Sequence, residues 1–222
     1  HTLGVDVSPP SRRRGRRRVT ISKGLEWGWP GRLDPEGAVA RSDADARSVL
    51  TDYRSQGLPL PMIGLIGGDL WRAMGEPGGG EPRLRSNDAR IYPCDLGVAV
   101  LDDVEHIFVA HLFARRSWWR GQIVAAMNSE FRGAWLVAPR AHPNDGVLDH
   151  VVADPSTDQR WMAMRRLPTG QHVPHPAISL RRRSSARYEF DRPTRVYLDG
   201  EAVGSTRTLD VRVEPDAFHF VV

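Results

Sequence analysis

Two spacings of apolar residues divide this chain. Ala46, Val49, Leu50 and Tyr53 fall at i, i+3, i+4 and i+7, which gives a helix one apolar face. Ser42 precedes that helix as an N-cap, Asp43 and Asp45 fill its first turn, and Gly57 and Pro59 close it. Residues 61–66 are a short apolar run, Gly67-Gly68 a turn, and residues 69–74 a short helix that stops at Gly75. Strand, glycine turn and helix make an α/β unit whose helix N-terminus can face an anion.

Beyond Gly78-Gly79-Gly80 the helical period disappears, and short runs rich in Val, Phe and Ile alternate with turn residues. Residues 97–101 and 106–113 read as a hairpin turning at Asp102-Asp103. Strands continue over 122–128, 134–138, 148–153, 177–180, 186–190, 194–198, 208–213 and 217–222. Leu209, Val211 and Val213 alternate with Asp210 and Arg212, the cleanest period of two in the chain. Residues 154–166 interrupt the series as a helix with Pro155 near its first position. The expected fold class is α+β, a short α/β segment followed by a mainly antiparallel β-sandwich. A basic arm without regular structure is expected over 1–18. A reduced α/β segment, with a short strand at 19–22, follows over 19–75, and the sandwich occupies 76–222.

At 222 residues the chain can bury a core without disulfides, and its single cysteine, Cys94, excludes a disulfide framework and reads as a small apolar filler. No apolar run approaches the roughly 18 residues that span a bilayer, and no hydrophobic signal core is present. A soluble, cytoplasmic protein is therefore expected, peripheral at most to a membrane. Beginning at His1, the chain reads as processed or as a fragment. Oligomeric state is not legible.

Net charge is only +4, with Lys23 the sole lysine, yet arginines cluster at 12–18, at Arg115-Arg116 and at Arg181-Arg182-Arg183. Such runs attract nucleic acid, anionic lipid headgroups or phosphate, or are solvated faces. The aromatic interleaving of single-strand binders is poor, so nucleic acid is not the expected partner. Trp118-Trp119, beside Arg115, Arg116 and Arg120, can meet an anionic membrane surface, or place one ring in the core and the other over a sheet edge. His111, His142, His150, His172 and His175 form no metal-ligand spacing, and zinc is not expected.

The chemistry concentrates in two acidic turns. One is Leu198-Asp-Gly-Glu-Ala-Val-Gly204, with Asp199-Gly200 at a strand end; the other runs from Pro139 through Asp145, Gly146 and Val147 to Asp149. Asp-Gly at a strand end is a common hairpin turn. Carboxylates are also what phosphoryl transfer asks for, as proton acceptors for a hydroxyl and as hard oxygen ligands for magnesium.

Together with Gly64-Leu-Ile-Gly-Gly-Asp-Leu-Trp-Arg72, these segments resemble the diacylglycerol kinase and sphingosine kinase family of lipid kinases, within the NAD kinase-like superfamily, over roughly residues 60–222. That family pairs an N-terminal nucleotide lobe with a C-terminal β-sandwich. Its Pro-Leu-Gly-Thr-Gly-Asn-Asp-Leu-Ala-Arg segment is similar to residues 64–72, with Asp69, Leu70 and Arg72 kept and Ile66 and Gly68 standing at the Thr and Asn positions. The resemblance implies ATP and Mg2+ as cofactors and Gly67, Gly68, Asp69 and Arg72 at the nucleotide. It also implies Asp199 as base on a lipid hydroxyl and Glu201 in the magnesium network. Asp145, the backbone of Val147 and Asp149 would hold a structural magnesium, although His142 stands where a carboxylate ligand is expected. The family's Gly-Gly-Asp-Gly-Thr loop is absent. Three readings follow: an ATP-dependent lipid kinase, degenerate or a fragment, with a groove between sheets for the lipid tail; a non-catalytic lipid- or nucleotide-binding regulator on the same fold; and an unrelated basic module that binds nucleic acid through its arginine arm.

Overall fold

The computed structural model describes residues 27–172 and 175–222. The expected arm at 1–18, with its arginine run, and the strand at 19–22 lie outside these residues. In chain order the elements are β1 (Trp29–Pro30), β2 (Val39–Ala40), α1 (Asp43–Ser55), β3 (Met62–Leu65), α2 (Asp69–Ala73), α3 (Gly80–Leu84) and β4 (Arg90–Leu101). They continue with β5 (Val104–Phe108), β6 (His111–Arg115), β7 (Ile123–Met127), β8 (Phe131–Arg132), β9 (Trp135–Leu136), β10 (Leu148–Ala153), α4 (Thr157–Arg166), β11 (Ile178–Arg183), β12 (Ser185–Leu198) and β13 (Glu201–Val221).

The α+β class is what the chain adopts. One sheet runs β1-β4-β13-β12-β6-β7-β10-β11, with β5 on β4 and the parallel pair β2-β3 joined to β13. β13 links the two halves: residues 209–221 pair antiparallel with β4, while His219, Phe220 and Val221 also run parallel to Met62, Ile63 and Gly64 of β3. The position near residue 76, where the sequence changes texture, lies between α2 and α3.

Strands read as separate in the sequence are joined here. Residues 186–190 and 194–198 belong to β12, with a register shift between Glu189 and Thr194; residues 208–213 and 217–221 belong to β13, with a shift between Glu214 and Phe218. Pro193 and Pro215 sit at these irregularities, where a missing N–H disturbs little pairing. The hairpin at Asp102-Asp103 is present, both residues at positive φ. Its second arm, read as 106–113, is instead β5 and β6, broken between Phe108 and His111. Across β4 and β5 the ring of Phe108 lies over Gly97, and any Cβ there would meet it at 2.2 Å.

Most of the burial is in three apolar layers. Leu112, Ala114, Val124, Ala126, Val196 and Leu209 fill the interior of the sandwich, while Leu50, Ile63, Leu65 and Phe220 join α1 and β3 to the sheet. β6 and β7 are buried on both faces, because Phe113, Ala125 and Met127 point away from that interior into a third layer with Val137 and Val151. α4 covers this third layer. Its N-cap is Ser156, which forms a reciprocal capping box with Gln159, so the helix starts at Thr157 and Pro155 lies before it, not near its first position. Replacing Ser156 with alanine is expected to cost about 1 kcal/mol and to lower the thermal midpoint by about 2–4 °C, measured by circular dichroism. Among the described residues no helix is long and apolar enough to cross a membrane.

Candidate functional site

Four titratable side chains distant in sequence meet where the α/β half touches the sandwich. Asp199-Gly200 forms the two-residue turn between β12 and β13, with φ of 50° and 91°. Both values are left-handed, as the turn that matches strand twist requires, and Asp and Gly tolerate them. The turn directs the Asp199 carboxylate onto the bend between β5 and β6. There Oδ2 accepts the N–H of Val109 at 2.9 Å, and Oδ1 those of Ala110 at 2.9 Å and His111 at 3.1 Å. Asn128, fully buried at the end of β7, fixes the same bend by donating to the carbonyls of Val109 and Asp95.

The His111 ring leaves β6 on the face away from the sandwich interior and meets Asp69 Oδ2 through Nε2 at 2.9 Å. The other Asp69 oxygen accepts the N–H of Gly133, in the β8-β9 turn, at 2.7 Å. Asp43, in the first turn of α1, accepts the N–H of Asp69 at 2.5 Å and that of Leu70 at 3.1 Å. It thus caps α2, a helix that begins 26 positions further on. The glycines before α2 permit this close approach: a Cβ on Gly67 would lie 2.2 Å from the Arg41 carbonyl, and one on Gly68 2.6 Å from Asp43 Oδ1. The α2 N–H groups expected to face an anion therefore face an internal carboxylate. Arg72 donates to the Gly133 carbonyl at 2.5 Å and pairs with Glu76, its guanidinium over the Phe131 ring.

Arg47 of α1 completes the cluster, with Nε 3.6 Å from Asp199 Oδ2 and an ion pair to Glu201. Access is graded: the Asp199 side chain has no exposed surface, that of Asp69 is 16% exposed and that of Glu201 65%.

The electrostatics follow from burial and crowding. Burial, and next the charge of Asp199, push Asp43 up to about 7, against the pull of its two N–H donors. Burial also raises Asp199, outweighing the nearby His111 and the three backbone donors. Asp69 moves the other way: burial opposes its charge, but the hydrogen bond and charge of His111 prevail and hold it below the usual carboxylate range. Burial resists charge on His111, yet Asp69, Asp199 and Asp43 together raise it. Three carboxylates thus crowd around His111, with Arg47 beside Asp199, in a largely buried site, an arrangement suited to holding a proton. Ligand atoms of Asp43, Asp69 and His111 lie within 4.8 Å of one another, a grouping that the histidine spacing gave no sign of. All four oxygens of the two carboxylates already accept hydrogen bonds.

β6 carries the site to an apolar cavity. Two residues beyond His111, Phe113 stacks edge-on to it at 5.5 Å and lines a cavity of about 90 Å³ with Trp118, Ala125, Trp135, Val151 and Met164. α4 forms one wall, and Trp119, next in the chain to Trp118, is exposed. Of the tryptophan pair, Trp118 is the half-buried partner, edge-on to Trp135 and under Arg115 and Arg132.

The second acidic turn lies apart from this cluster. Asp149 on β10 stands opposite Arg182 on β11, and the Arg182 guanidinium pairs with Asp145 and approaches Asp149 Oδ2 at 3.7 Å. Val147 contributes its N–H to Asp145 Oδ1 at 3.2 Å. His142 accepts the N–H of Asn144 and packs on Trp27, and burial, then the Arg182 charge, push it down to about 4. Magnesium requires several oxygens converging on one point. Here two carboxylates converge on a guanidinium, and among the described residues no third carboxylate or histidine joins them within ligand distance. A divalent ion does not fit this arrangement.

The sequence profile of the YegS C-terminal NAD kinase beta sandwich-like domain matches residues 98–222. The chain belongs to that family. The match takes in β5 to β13, and hence the Asp199 turn and the His111 bend. A diacylglycerol kinase from Bacillus anthracis str. Sterne shares the fold with a TM-score of 0.54 at 14% identity, over 82% of this chain and 82% of that one. Two further structures from that organism, provisionally assigned as diacylglycerol kinases, give TM-scores of 0.56 and 0.57 at 14% and 13% identity, over 82% of this chain and 83% of theirs. This coverage exceeds the share that residues 98–222 make up, so part of the α/β half has the same fold. Comparison with curated proteins gives no match.

Proposed function

We propose that this YegS-family chain is a diacylglycerol kinase-like phosphotransferase that moves a phosphoryl group from a nucleotide, ATP, to the hydroxyl of a lipid. One observation carries the reading: the cluster of Asp43, Asp69, His111 and Asp199 lies between two features that such a reaction needs. On one side are the carboxyl ends of the parallel strands β2 and β3, each leading into a helix. Ligands of open α/β sheets bind in that position. On the other side is the apolar cavity, reached along β6 from His111 to Phe113.

In this reading the nucleotide lies across the two turns, beside Gly67, Gly68 and Asp69, with Arg72 and the exposed Arg41 near its phosphates. Mg2+ arriving with the nucleotide would neutralise the transferred charge, and Glu201 and Asp69 are the carboxylates open enough to face it. The cavity under α4, at about 90 Å³, would take only the first few carbons of the lipid tail, the rest running out over the surface. Its hydroxyl gives its proton to the cluster, with Asp199 as base and the Asp69–His111 pair holding the charge in place. Arg47 withdraws from Asp199 toward the incoming phosphate. Exposed Trp119 and the nearby arginines meet the lipid surface at the cytoplasmic face of a membrane.

The test is calorimetry with magnesium-ATP on this chain and on Asp69→Ala, followed by transfer of labelled phosphate to diacylglycerol or sphingoid-base micelles. Saturable ATP binding that Asp69→Ala loses, with a labelled lipid product, is the expected result. A folded chain that binds lipid but no ATP would instead make it a non-catalytic lipid-binding relative.

A further inference from the structure

The acidic turn before β10 carries a second, independent message. Family resemblance places a structural magnesium at Asp145 and Asp149, yet this chain puts Arg182 there. The placement is built by the sheet, because Arg182 is the direct cross-strand partner of Asp149 in the β10-β11 ladder. From that position its guanidinium reaches Asp145, in the turn, and Asp149, on the strand, at once. Asp149 is 1% exposed and Asp145 half-buried, and both need a counter-charge.

The rest of the turn is fixed without a metal. Asp95, fully buried on β4, accepts the N–H of Gly146 at 2.7 Å and that of Asp216 at 2.9 Å. Asn144 donates to Asp95 and Asp216 together. The turn between β9 and β10 is thus tied to β4 and to the β13 bulge by these side chains and by the Asp95 N–H, which donates to the Pro143 carbonyl at 2.7 Å. His142 presents no carboxylate, and its Nδ1 is already an acceptor for Asn144.

We infer that Arg182 is an internal replacement for a divalent cation, so that the sheets of this chain are tied together independently of metal. A planar guanidinium can bridge two carboxylates and is always charged, and it excludes a second cation from the same position by Coulomb repulsion.

Thermal unfolding tests this without reference to activity. Wild type and Asp145→Asn are expected to respond alike to added magnesium and to chelator, since no ion sits at Asp145. Arg182→Gln is expected to melt about 2–4 °C lower in chelator and to regain part of that loss in magnesium or calcium, a gain that the double variant Arg182→Gln with Asp145→Asn lacks. A magnesium response present in wild type and missing in Asp145→Asn would overturn the inference. So would an Arg182→Gln protein that melts like wild type, or one that gains nothing from either ion. Should Arg182→Gln fail to fold, the comparison of wild type with Asp145→Asn still decides.

Discussion

Asparagine at position 199 is expected to reduce phosphoryl transfer by about 10²–10⁴-fold, the range that a lost proton acceptor spans, and to destabilise the fold as well. The second effect follows from the geometry. Both oxygens of Asp199 accept backbone N–H groups, three in all. An amide can offer one oxygen, and its NH2 group must then face an N–H of the β5-β6 bend, leaving a buried donor unpaired at about 1–3 kcal/mol. Activity and stability must therefore be read together, by initial rates per folded molecule and by chemical unfolding. Glu201→Gln separates them. Glu201 is open to solvent and touches the cluster through Arg47, so its loss should lower the rate while the unfolding midpoint scarcely moves. An Asp199→Asn protein that folds and transfers phosphate at the wild-type rate would remove Asp199 from the chemistry and leave it as the residue that closes the hairpin.

The double nature of Asp199 shows how far sequence reaches here. Asp-Gly at a strand end was legible both as a turn and as an acidic motif, and the structure shows that the turn delivers the carboxylate. Its three backbone partners were not legible, because they lie about ninety residues upstream, in a bend where one strand had been expected to run on from 106 to 113. Asp43 was visible only as a helix first-turn residue. Its partners are the N–H groups of Asp69 and Leu70, and no local pattern encodes that distance. Gly67-Gly68 was recognisable as a turn, while the reason for glycine, the Arg41 carbonyl and Asp43 carboxylate pressed against it, belongs to tertiary packing. Arg182 read as one of three arginines in a run until the β10-β11 register set it opposite Asp149. Residues 186–198 and 208–221 read as four short strands because their gaps hold Pro193 and Pro215, residues that local pattern does not place in a strand and that a sheet this long absorbs at an irregularity.

Changing Asp43 should reveal the proton that the cluster holds. Asp43→Ala leaves the N–H groups of Asp69 and Leu70 buried without an acceptor, and a loss of about 2–5 kcal/mol is expected near pH 4, narrowing toward neutral pH as the wild type gives up the stability of its protonated Asp43. Asp43→Asn is the sharper probe, since it does not titrate and keeps one acceptor oxygen; the N–H group left facing its NH2 adds a cost that does not vary with pH. The folded-state pKa of Asp43 is raised from 3.8 to about 7 by burial and by Asp199, with Asp69 adding to the repulsion and the two backbone donors opposing it. A carboxyl raised in the folded state binds its proton more tightly there than in the unfolded chain. Its contribution to stability is complete below about pH 4 and is lost as pH rises through about 7. His111, also raised, acts in the same direction, and removing the Asp43 charge weakens one of its causes. The wild type should therefore lose ground to Asp43→Asn between about pH 4 and about pH 7, by on the order of 2–4 kcal/mol, and the gap should be level above that. Urea unfolding of both proteins across this window measures it. A gap that stays constant with pH would mean that Asp43 is already ionised throughout, held by its two N–H donors, and that the shared proton resides on Asp199 or His111 alone.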